Sequence, residues 1–178
     1  MKKFILFLAT NFLIHSLGAQ TINIKPADVL KTIFQSSQEI VSEKHTLSAD
    51  QKLILLKSLG TPVTKDEWTF YVAKTAGQVD GYAMIDHELG KMEPITFMTA
   101  FNKDGSVKAV EILVYREPYG SEVHEKKFVK QYEGKKNTDV LRVGQDIQNM
   151  TGATISSRSV TIGVKRDLAI WNIFYGKK

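Results

Sequence analysis

Thr151-Gly152-Ala153-Thr154-Ile155-Ser156-Ser157 is the stretch around which the rest of the chain is organised. It is small, polar and broken by a glycine, and it lies immediately before the strongest helical pattern of the sequence. The apolar residues of that pattern follow one another at spacings of four, four, three and four: Val160, Val164, Leu168, Trp171 and Tyr175. The stretch therefore predicts a loop that leads into the N-terminus of the last helix, where several hydroxyl groups compete to cap it.

The position of this loop also suits a phosphate group. A helix N-terminus presents unpaired backbone N–H groups and about half a positive charge, which favour an anion. Gly152 and Ala153 keep side chains out of the way, so a phosphate or a modifying enzyme can approach closely. The hydroxyl of Thr154 could carry a phosphoester, while Ser156 and Ser157 donate hydrogen bonds or cap. From the residues alone, a simple capping loop remains the plainer interpretation.

The length and composition indicate one ordinary globular domain. The chain has 178 residues, of which 43% are hydrophobic and 24% are charged, so it can bury a core without disulfides or metals. The formal net charge is +5, and two of those charges, Lys2 and Lys3, belong to the leader described next. The remaining charge is too small and too dispersed to indicate a nucleic-acid partner.

The first residues are typical of a secretory signal peptide. Lys2 and Lys3 precede a mostly apolar run from Phe4 to Leu17, and Ala19 offers a small residue for cleavage. We therefore expect residues 1–19 to be a signal peptide and the protein to be exported, to the periplasm or the cell envelope. The alternative is a retained leader, which would anchor the protein to the membrane.

The absence of cysteine excludes a disulfide framework, a thiolate nucleophile, an iron–sulfur cluster and a c-type haem attachment. The sequence has four histidines, and those outside the leader, His45, His87 and His124, lack metal-ligand spacing. We therefore predict no metal site, and any redox chemistry must use an organic cofactor.

The N-terminal part of the mature chain has a helical period. Pro26 opens a first helix, whose apolar stripe extends from Val29 to Val41. Ser48 is a good N-cap for a second helix, which Gly60 ends. Residues 20–66 are therefore predicted to form an N-terminal helical segment.

The period then changes to the alternation of strands. Asn102-Lys103-Asp104-Gly105 is a hairpin signal between two of these runs, and a short helix over Glu122 to Tyr132 and a brief strand over Val140 to Val143 follow. The four strand-like runs are Trp68 to Val72, Val79 to Ile85, Ile95 to Phe101 and Val107 to Tyr115. Strands grouped between helices predict an α+β fold, with an antiparallel sheet packed against helices in a single domain after the signal segment.

Tyr115-Arg116-Glu117-Pro118-Tyr119-Gly120 ends the last strand in a turn. One interpretation is an aromatic-packed turn with a surface pair between Arg116 and Glu117. The other is a wall of a cofactor site.

Thr151–Ser157 resembles the flavinylation motif of the FMN-binding domain family, a Ser or Thr, then Gly-Ala-Thr, any residue, and two Ser or Thr residues. Such domains occur in the C subunit of the sodium-translocating NADH:quinone reductase, the G subunit of the Rnf complex and stand-alone exported proteins. The resemblance implies that residues 67–178 form an FMN-binding domain and that Thr154 carries covalent FMN through a phosphoester. It further implies a cofactor site that includes Thr151, Gly152, Ala153, Ser156 and Ser157.

The similarity extends over about Gly81 to Phe174, and it includes Gly90-Lys91-Met92-Glu93-Pro94-Ile95-Thr96 and Val114 to Gly120. The family pattern has an Asp shortly before the motif, whereas here Asp146 lies eight positions before Thr154. Whether Asp146 takes that role in recognition by the modifying enzyme is left open.

The resemblance implies an electron carrier. A flavin transferase that uses FAD would install the FMN, and an unidentified redox partner, such as a membrane oxidoreductase, would exchange electrons with it. Lys91 and Arg116 are candidates for cations near the flavin ring. We predict no catalytic residues, since no acid, base or nucleophile constellation is visible. The alternatives are a flavin-dependent reductase of a small acceptor and a non-redox binding domain in which the motif only caps a helix.

Overall fold

The computed structural model describes residues 21–176, and its centre is one antiparallel sheet. The sheet has six strands in the order β1-β6-β5-β4-β3-β2, so that β2 to β6 form a meander of sequential neighbours and β1 closes the far edge on β6. The strands are β1 (Ile22–Asn23), β2 (Glu39–Thr46), β3 (Glu67–Thr75), β4 (Gln78–Leu89), β5 (Pro94–Asn102) and β6 (Val107–Tyr115).

Helices lie on both faces of this sheet. They are α1 (Pro26–Ile33), α2 (Ala49–Leu59), the single turn α3 (Lys126–Val129) and the long C-terminal α4 (Thr154–Tyr175). The predicted α+β fold with an antiparallel sheet and a single domain is confirmed.

The larger core lies between the sheet and α4. The strands contribute alternate side chains to it, such as Trp68, Phe70 and Phe97, which are at most 1% exposed. From α4, Val160, Val164 and Leu168 pack against them, as the helical spacing predicts. Gly163 allows α4 to approach closely, because a Cβ atom there would lie 2.2 Å from the ring of Phe97. This packing holds the start of α4 in place beside the end of β6.

A smaller core lies on the opposite face of the sheet, under α1. It combines Val29, Leu30 and Phe34 with small or flexible sheet residues, such as Ala83 and Met98. The ring of Phe34 lies over Gly81, where a Cβ atom would come within 2.8 Å of Phe34 Cε1. The small side chains on this face let α1 pack close to the sheet.

The second predicted helix and the four predicted strands are confirmed. Ser48 forms a capping box with Gln51 at the start of α2, and Gly60 ends the helix in a left-handed conformation with φ of 74°. The turn at 102–105 joins β5 and β6.

Three predictions on local structure are wrong. The first helix ends at Ile33, and Ile40 and Val41 lie in the edge strand β2 instead. The helix predicted over 122–132 is broken into a 3₁₀ turn (Ser121–His124), α3 and another 3₁₀ turn (Lys130–Tyr132). In place of a strand at 140–143 there is one isolated bridge between Val143 and Ile147.

The predicted signal peptide lies outside the described residues. The boundary at residue 67 between the N-terminal segment and the FMN-binding domain remains a prediction. The sheet extends across this boundary, since every residue of β2 pairs with β3. Within residues 21–176, the helices are all too short or too polar to span a bilayer.

Candidate functional site

The predicted motif forms the loop before α4 and the first turn of that helix. Gly152 adopts a left-handed conformation with φ of 83°, Ala153 is the N-cap residue, and Thr154 is the first residue of α4. The first helical hydrogen bond of α4 runs from the Ser157 N–H to the Ala153 carbonyl, at 2.8 Å. The amides of Thr154 to Ser156 therefore precede the helical ladder and are available to an anion at this end of the helix.

The serines of the motif do not cap the helix. Ala153 at the N-cap position has no side-chain hydroxyl, and no side-chain hydrogen bond caps α4 among the described residues. Ser156 and Ser157 are 3% and 0% exposed. The Ser157 hydroxyl accepts a hydrogen bond from the Met150 N–H at 3.3 Å, which holds the loop before the helix.

Ser156 joins the start of α4 to the end of β6. Its Oγ lies 2.9 Å from the hydroxyl of Tyr115, and that hydroxyl also bonds the carbonyl of Tyr119. The Tyr115 hydroxyl donates its proton to the Tyr119 carbonyl. The Ser156 hydroxyl is therefore the donor in its hydrogen bond with Tyr115. Burial raises the pKa of Tyr115, so the phenol keeps its proton and both hydrogen bonds persist at neutral pH.

Thr154 is the exposed hydroxyl in this first turn. Its Oγ1 accepts a hydrogen bond from the side-chain amide of Asn149 at 2.9 Å, and the residue is exposed. The contact turns the hydroxyl toward the loop and leaves its oxygen within reach of a modifying enzyme. Thr154 therefore differs from both serines, whose hydroxyls are buried in the packing.

A pocket of about 440 Å³ opens beside Thr154, within the range of volumes that small-molecule sites occupy. Tyr119 and Met92 are 79% and 73% exposed, respectively, and present large apolar surfaces there. The lining residues come from three segments: Lys91 and Met92; Glu117, Pro118, Tyr119 and Gly120; and Gly152, Ala153, Thr154, Ile155 and Ser156.

Glu117 holds two of these segments together. It is 5% exposed, and its Oε1 accepts hydrogen bonds from the backbone N–H groups of Met92 at 3.0 Å and Glu93 at 3.2 Å. Gly90 opens the same turn, and its N–H donates to the Glu93 carbonyl at 2.9 Å. The turn that carries Lys91 is thus fixed to the end of β6, and Glu117 is not available as a surface partner for Arg116.

The predicted site residues are only partly brought together. Lys91, Gly152, Ala153, Thr154 and Ser156 line the pocket. Three others do not: Arg116 is exposed outside the lining, Ser157 is buried, and Thr151 lines a separate pocket of about 250 Å³.

Sequence reasoning missed several pocket residues. Met92 and Ile155 lie inside the segments that carry the resemblance, but neither is given a role by it. The density of Pro, Tyr and Gly at 117–120 was the available signal for that wall, and this turn does line the pocket; its contact with a cofactor remains a prediction.

Asp146 organises the loop before the motif. Its carboxylate accepts hydrogen bonds from the N–H groups of Leu141 at 3.1 Å and Arg142 at 2.8 Å, and it forms an ion pair with Lys135. Burial raises the pKa of Asp146, but the Arg142 N–H, Lys135 and the Leu141 N–H outweigh it, so that the pKa is lowered overall. Both carboxylate oxygens are therefore engaged in holding the loop.

Metal ligation is not indicated in the part of the chain that the structure describes. No group of three or more His, Asp or Glu side chains within residues 21–176 is placed to hold a metal ion. The chemistry of the pocket is that of a helix N-terminus, a lysine and apolar surface.

Comparison with known proteins gives a family match and one curated relative. Residues 90–169 match the family described as FMN-binding domain. The chain is 32% identical over 122 residues to the G subunit of the proton-translocating ferredoxin:NAD(+) oxidoreductase complex of Clostridium ljungdahlii. That alignment covers 64% of this chain and 64% of the relative, so the chain spans a little under two thirds of the relative's length.

Two solved structures share the fold. The C subunit of the Na(+)-translocating NADH-quinone reductase from Parabacteroides distasonis superposes with a TM-score of 0.55 at 16% identity, covering 88% of this chain and 87% of that chain. The NqrC protein of Shewanella oneidensis gives a TM-score of 0.57 at 13% identity, covering 86% and 89%. At these identities the likeness concerns the arrangement of helices and strands.

Proposed function

Because residues 90–169 match the FMN-binding domain family, we propose that this chain is an electron-transfer flavoprotein that carries FMN through a phosphoester on Thr154. The observation that carries the proposal is the position of Thr154. It is the exposed hydroxyl in the first turn of α4, and it lines a pocket large enough for a small-molecule ring system.

The residues around Thr154 fit a phosphate ester. The first-turn amides of α4 precede the helical ladder, so they can donate to phosphate oxygens, and the helix dipole favours the negative charge. Gly152, with φ of 83°, leaves its side of the loop without a side chain. No carboxylate of the described chain other than Glu117 lines this pocket, and Glu117 is engaged with two backbone N–H groups.

The remaining walls fit a flat, partly apolar ring. Tyr119 and Met92 offer exposed apolar surface, and Lys91 supplies a positive charge that would stabilise a reduced, anionic flavin. FMN, when bound, accepts and releases one or two electrons. The task of the protein is then to hold the ring, exclude part of the water and set the potential through Lys91 and the helix N-terminus.

A carrier fits this pocket better than an enzyme with its own substrate. No nucleophile with an adjacent base lines the pocket among the described residues. The relative from Clostridium ljungdahlii belongs to a redox complex by its name, which supports a protein redox partner for this chain. The partner would be a membrane oxidoreductase, and an FAD-dependent flavin transferase would carry out the maturation.

Co-production with a flavin transferase tests the attachment. The intact mass of the purified wild type should rise by one FMN moiety, and Thr154→Ala should abolish this increase. Thr151→Ser is the matched control, because it changes an exposed threonine of the same motif into the other residue that the motif allows there, and it should keep the increase in mass. An unmodified wild-type mass, or an adduct that persists in Thr154→Ala, would refute the proposal.

The same mass measurement tests export. We propose that residues 1–19 direct the protein across the membrane and are removed, which supports a periplasmic or cell-envelope location. A mature mass that begins after Ala19 is the expected result. A full-length mass in the membrane fraction would show that the leader is retained as an anchor.

A further inference from the structure

A second pocket, of about 510 Å³, lies on the outer face of α4 and shares no lining residue with the Thr154 pocket. Its walls come from the C-terminal end of α2 and the segment after it, from the loop at 141–143 and from α4 itself. We call it the α2–α4 groove. Its volume falls within the range of about 300–1,000 Å³ that is typical of small-molecule sites.

The walls of the groove are apolar. Its aliphatic lining residues are Leu59, Val63, Leu141, Val143 and Ile162 of α4. Ile162 is 55% exposed in the middle of a long helix, so the groove leaves a large aliphatic side chain open to solvent. An apolar body bound there would remove this surface from water.

The rim of the groove is positively charged. Arg142, Arg158 and Lys165 line it, and no Asp or Glu is among its lining residues in the described chain. Arg142 and Arg158 form no ion pair with any residue of 21–176, and the Lys165 ammonium donates one hydrogen bond to the Val140 carbonyl at 3.1 Å. Arg166 also lines the groove, but Asp86 and Glu88 neutralise it.

Aliphatic walls beside arginines that form no ion pair within residues 21–176 are complementary to one class of ligand. We infer that the α2–α4 groove binds a small amphipathic anion, with its apolar body against Ile162 and its acidic group between Arg142 and Arg158. Concavity favours a small molecule over the surface of an acidic protein, which would need a broad patch. The inference does not depend on flavin attachment.

The probe for this inference is 8-anilinonaphthalene-1-sulfonate, an aromatic body with one sulfonate group, titrated into unflavinylated protein and followed by fluorescence. We expect saturable binding at one site that weakens as salt is added. The double variant Arg142→Gln/Arg158→Gln should weaken it about tenfold, since both exposed charge contacts are removed. N-phenyl-1-naphthylamine, which has a similar aromatic body but no charge, should lose far less affinity in the same variant.

Two further variants separate the groove from unspecific binding. Ile162→Asp places a negative charge among the apolar walls and should abolish binding of both probes. Lys31→Gln in α1, on the opposite face of the sheet, should leave both affinities unchanged. Thermal midpoints within a few degrees of the wild type show that each variant is folded.

Several results would overturn the inference. They are non-saturable binding, the same loss in Lys31→Gln as in the double variant, and unchanged affinity in Ile162→Asp. Displacement of the probe by a short polyglutamate peptide at lower concentration than by decanoate would instead assign the groove to an acidic protein segment.

Discussion

Gly120 shows how one residue can determine the shape of the Thr154 pocket. It adopts a left-handed conformation with φ of 90°, and a Cβ atom there would lie 2.6 Å from the Tyr115 hydroxyl and 2.7 Å from Ser156 Oγ. Gly134 has a similar φ of 78°, but a Cβ atom there would have no neighbour within 4 Å. Alanine at Gly134 therefore introduces backbone strain alone, whereas alanine at Gly120 adds a steric clash.

We expect Gly120→Ala to lower the free energy of unfolding by about 1–3 kcal/mol more than Gly134→Ala. Both variants include the strain of a left-handed alanine, and only the first must displace Tyr115 or Ser156. Urea unfolding of the two variants measures the difference. Equal losses of unfolding free energy in the two variants would show that Tyr115 and Ser156 move aside at no energetic cost.

Asp167 is a buried acid on the inner side of α4. Its Oδ2 accepts a hydrogen bond from the Thr99 hydroxyl at 2.6 Å, while its buried Oδ1 receives no hydrogen bond from the described residues. Burial, followed by the negative charge of Asp86, raises the pKa of Asp167 well above its usual range. The protonated side chain can then donate to Asp86, which Arg166 holds on its other side at 2.6 Å.

This protonation makes stability depend on pH. The pKa of Asp167 is raised in the folded state, so the protonated side chain contributes to the free energy of unfolding. This contribution is fully present below the unfolded-state pKa of about 3.9 and is lost as the pH rises through the folded-state pKa. Asp167→Asn stays neutral and keeps a donor and an acceptor, so its urea midpoint should fall less than that of the wild type as the pH is raised above about 4. Glu39→Gln, at an exposed position of β2, is the control that should follow the wild type. Parallel curves for the wild type and Asp167→Asn would contradict this assignment.

At the scale of elements, the turn between β4 and β5 depends on Glu117. Glu117→Ala leaves the N–H groups of Met92 and Glu93 without their acceptor, so we expect a loss of about 1–3 kcal/mol in the free energy of unfolding and less flavinylated product. Glu117→Gln keeps an oxygen in the same place and should lose less in both measurements. If the two variants behave alike, the hydrogen bonds to Oε1 do not hold Lys91 in the pocket.

Elements with a strong period could be predicted from the sequence, and elements that depend on distant partners could not. The apolar spacing from Val160 to Tyr175 and the alternation of the strands are local signals, and α4 and β3 to β6 confirm them. Ile40 and Val41 fit a continued helix by spacing alone, but pairing of β2 with β3 overrides that preference. The segment at 121–132 is divided because the 3₁₀ turn ends at Glu125, whose backbone is extended.

The same distinction holds for the site. The motif predicts Thr154 as the attachment residue because the residues of the motif are contiguous in sequence and can be recognised before the fold is known. The place of Met92 in the pocket could not be predicted, since Met92 and Tyr119 meet there only when β4, β5 and β6 place two turns beside the start of α4. Arg116 follows the last residue of β6, is exposed and does not line this pocket, so its place near a flavin ring remains a prediction.

At the scale of the whole molecule, the two faces of the sheet differ in the size of their cores and in their relation to the Thr154 pocket. The α4 face carries the larger core and the Thr154 pocket, whereas the α1 face is a small core without any residue of that pocket. The sheet separates Phe34, which is 4% exposed under α1, from Tyr115, which contacts the motif. Stability and pocket shape should therefore respond to different substitutions.

We expect Phe34→Ala to lower the free energy of unfolding by about 3–5 kcal/mol, as loss of a buried aromatic ring does. Its folded fraction should still be flavinylated to the same extent as the wild type when co-production is carried out below its thermal unfolding midpoint.

Tyr115→Phe should have a small effect on stability and a larger one on flavinylation. It removes one hydroxyl, which costs about 1 kcal/mol of unfolding free energy. Flavinylation should decrease because Ser156 and the Tyr119 carbonyl lose their common hydrogen-bond partner. Urea unfolding and intact-mass measurements on the same samples compare the two variants. A loss of flavinylation in folded Phe34→Ala would show instead that the sheet transmits changes from the α1 face to the pocket.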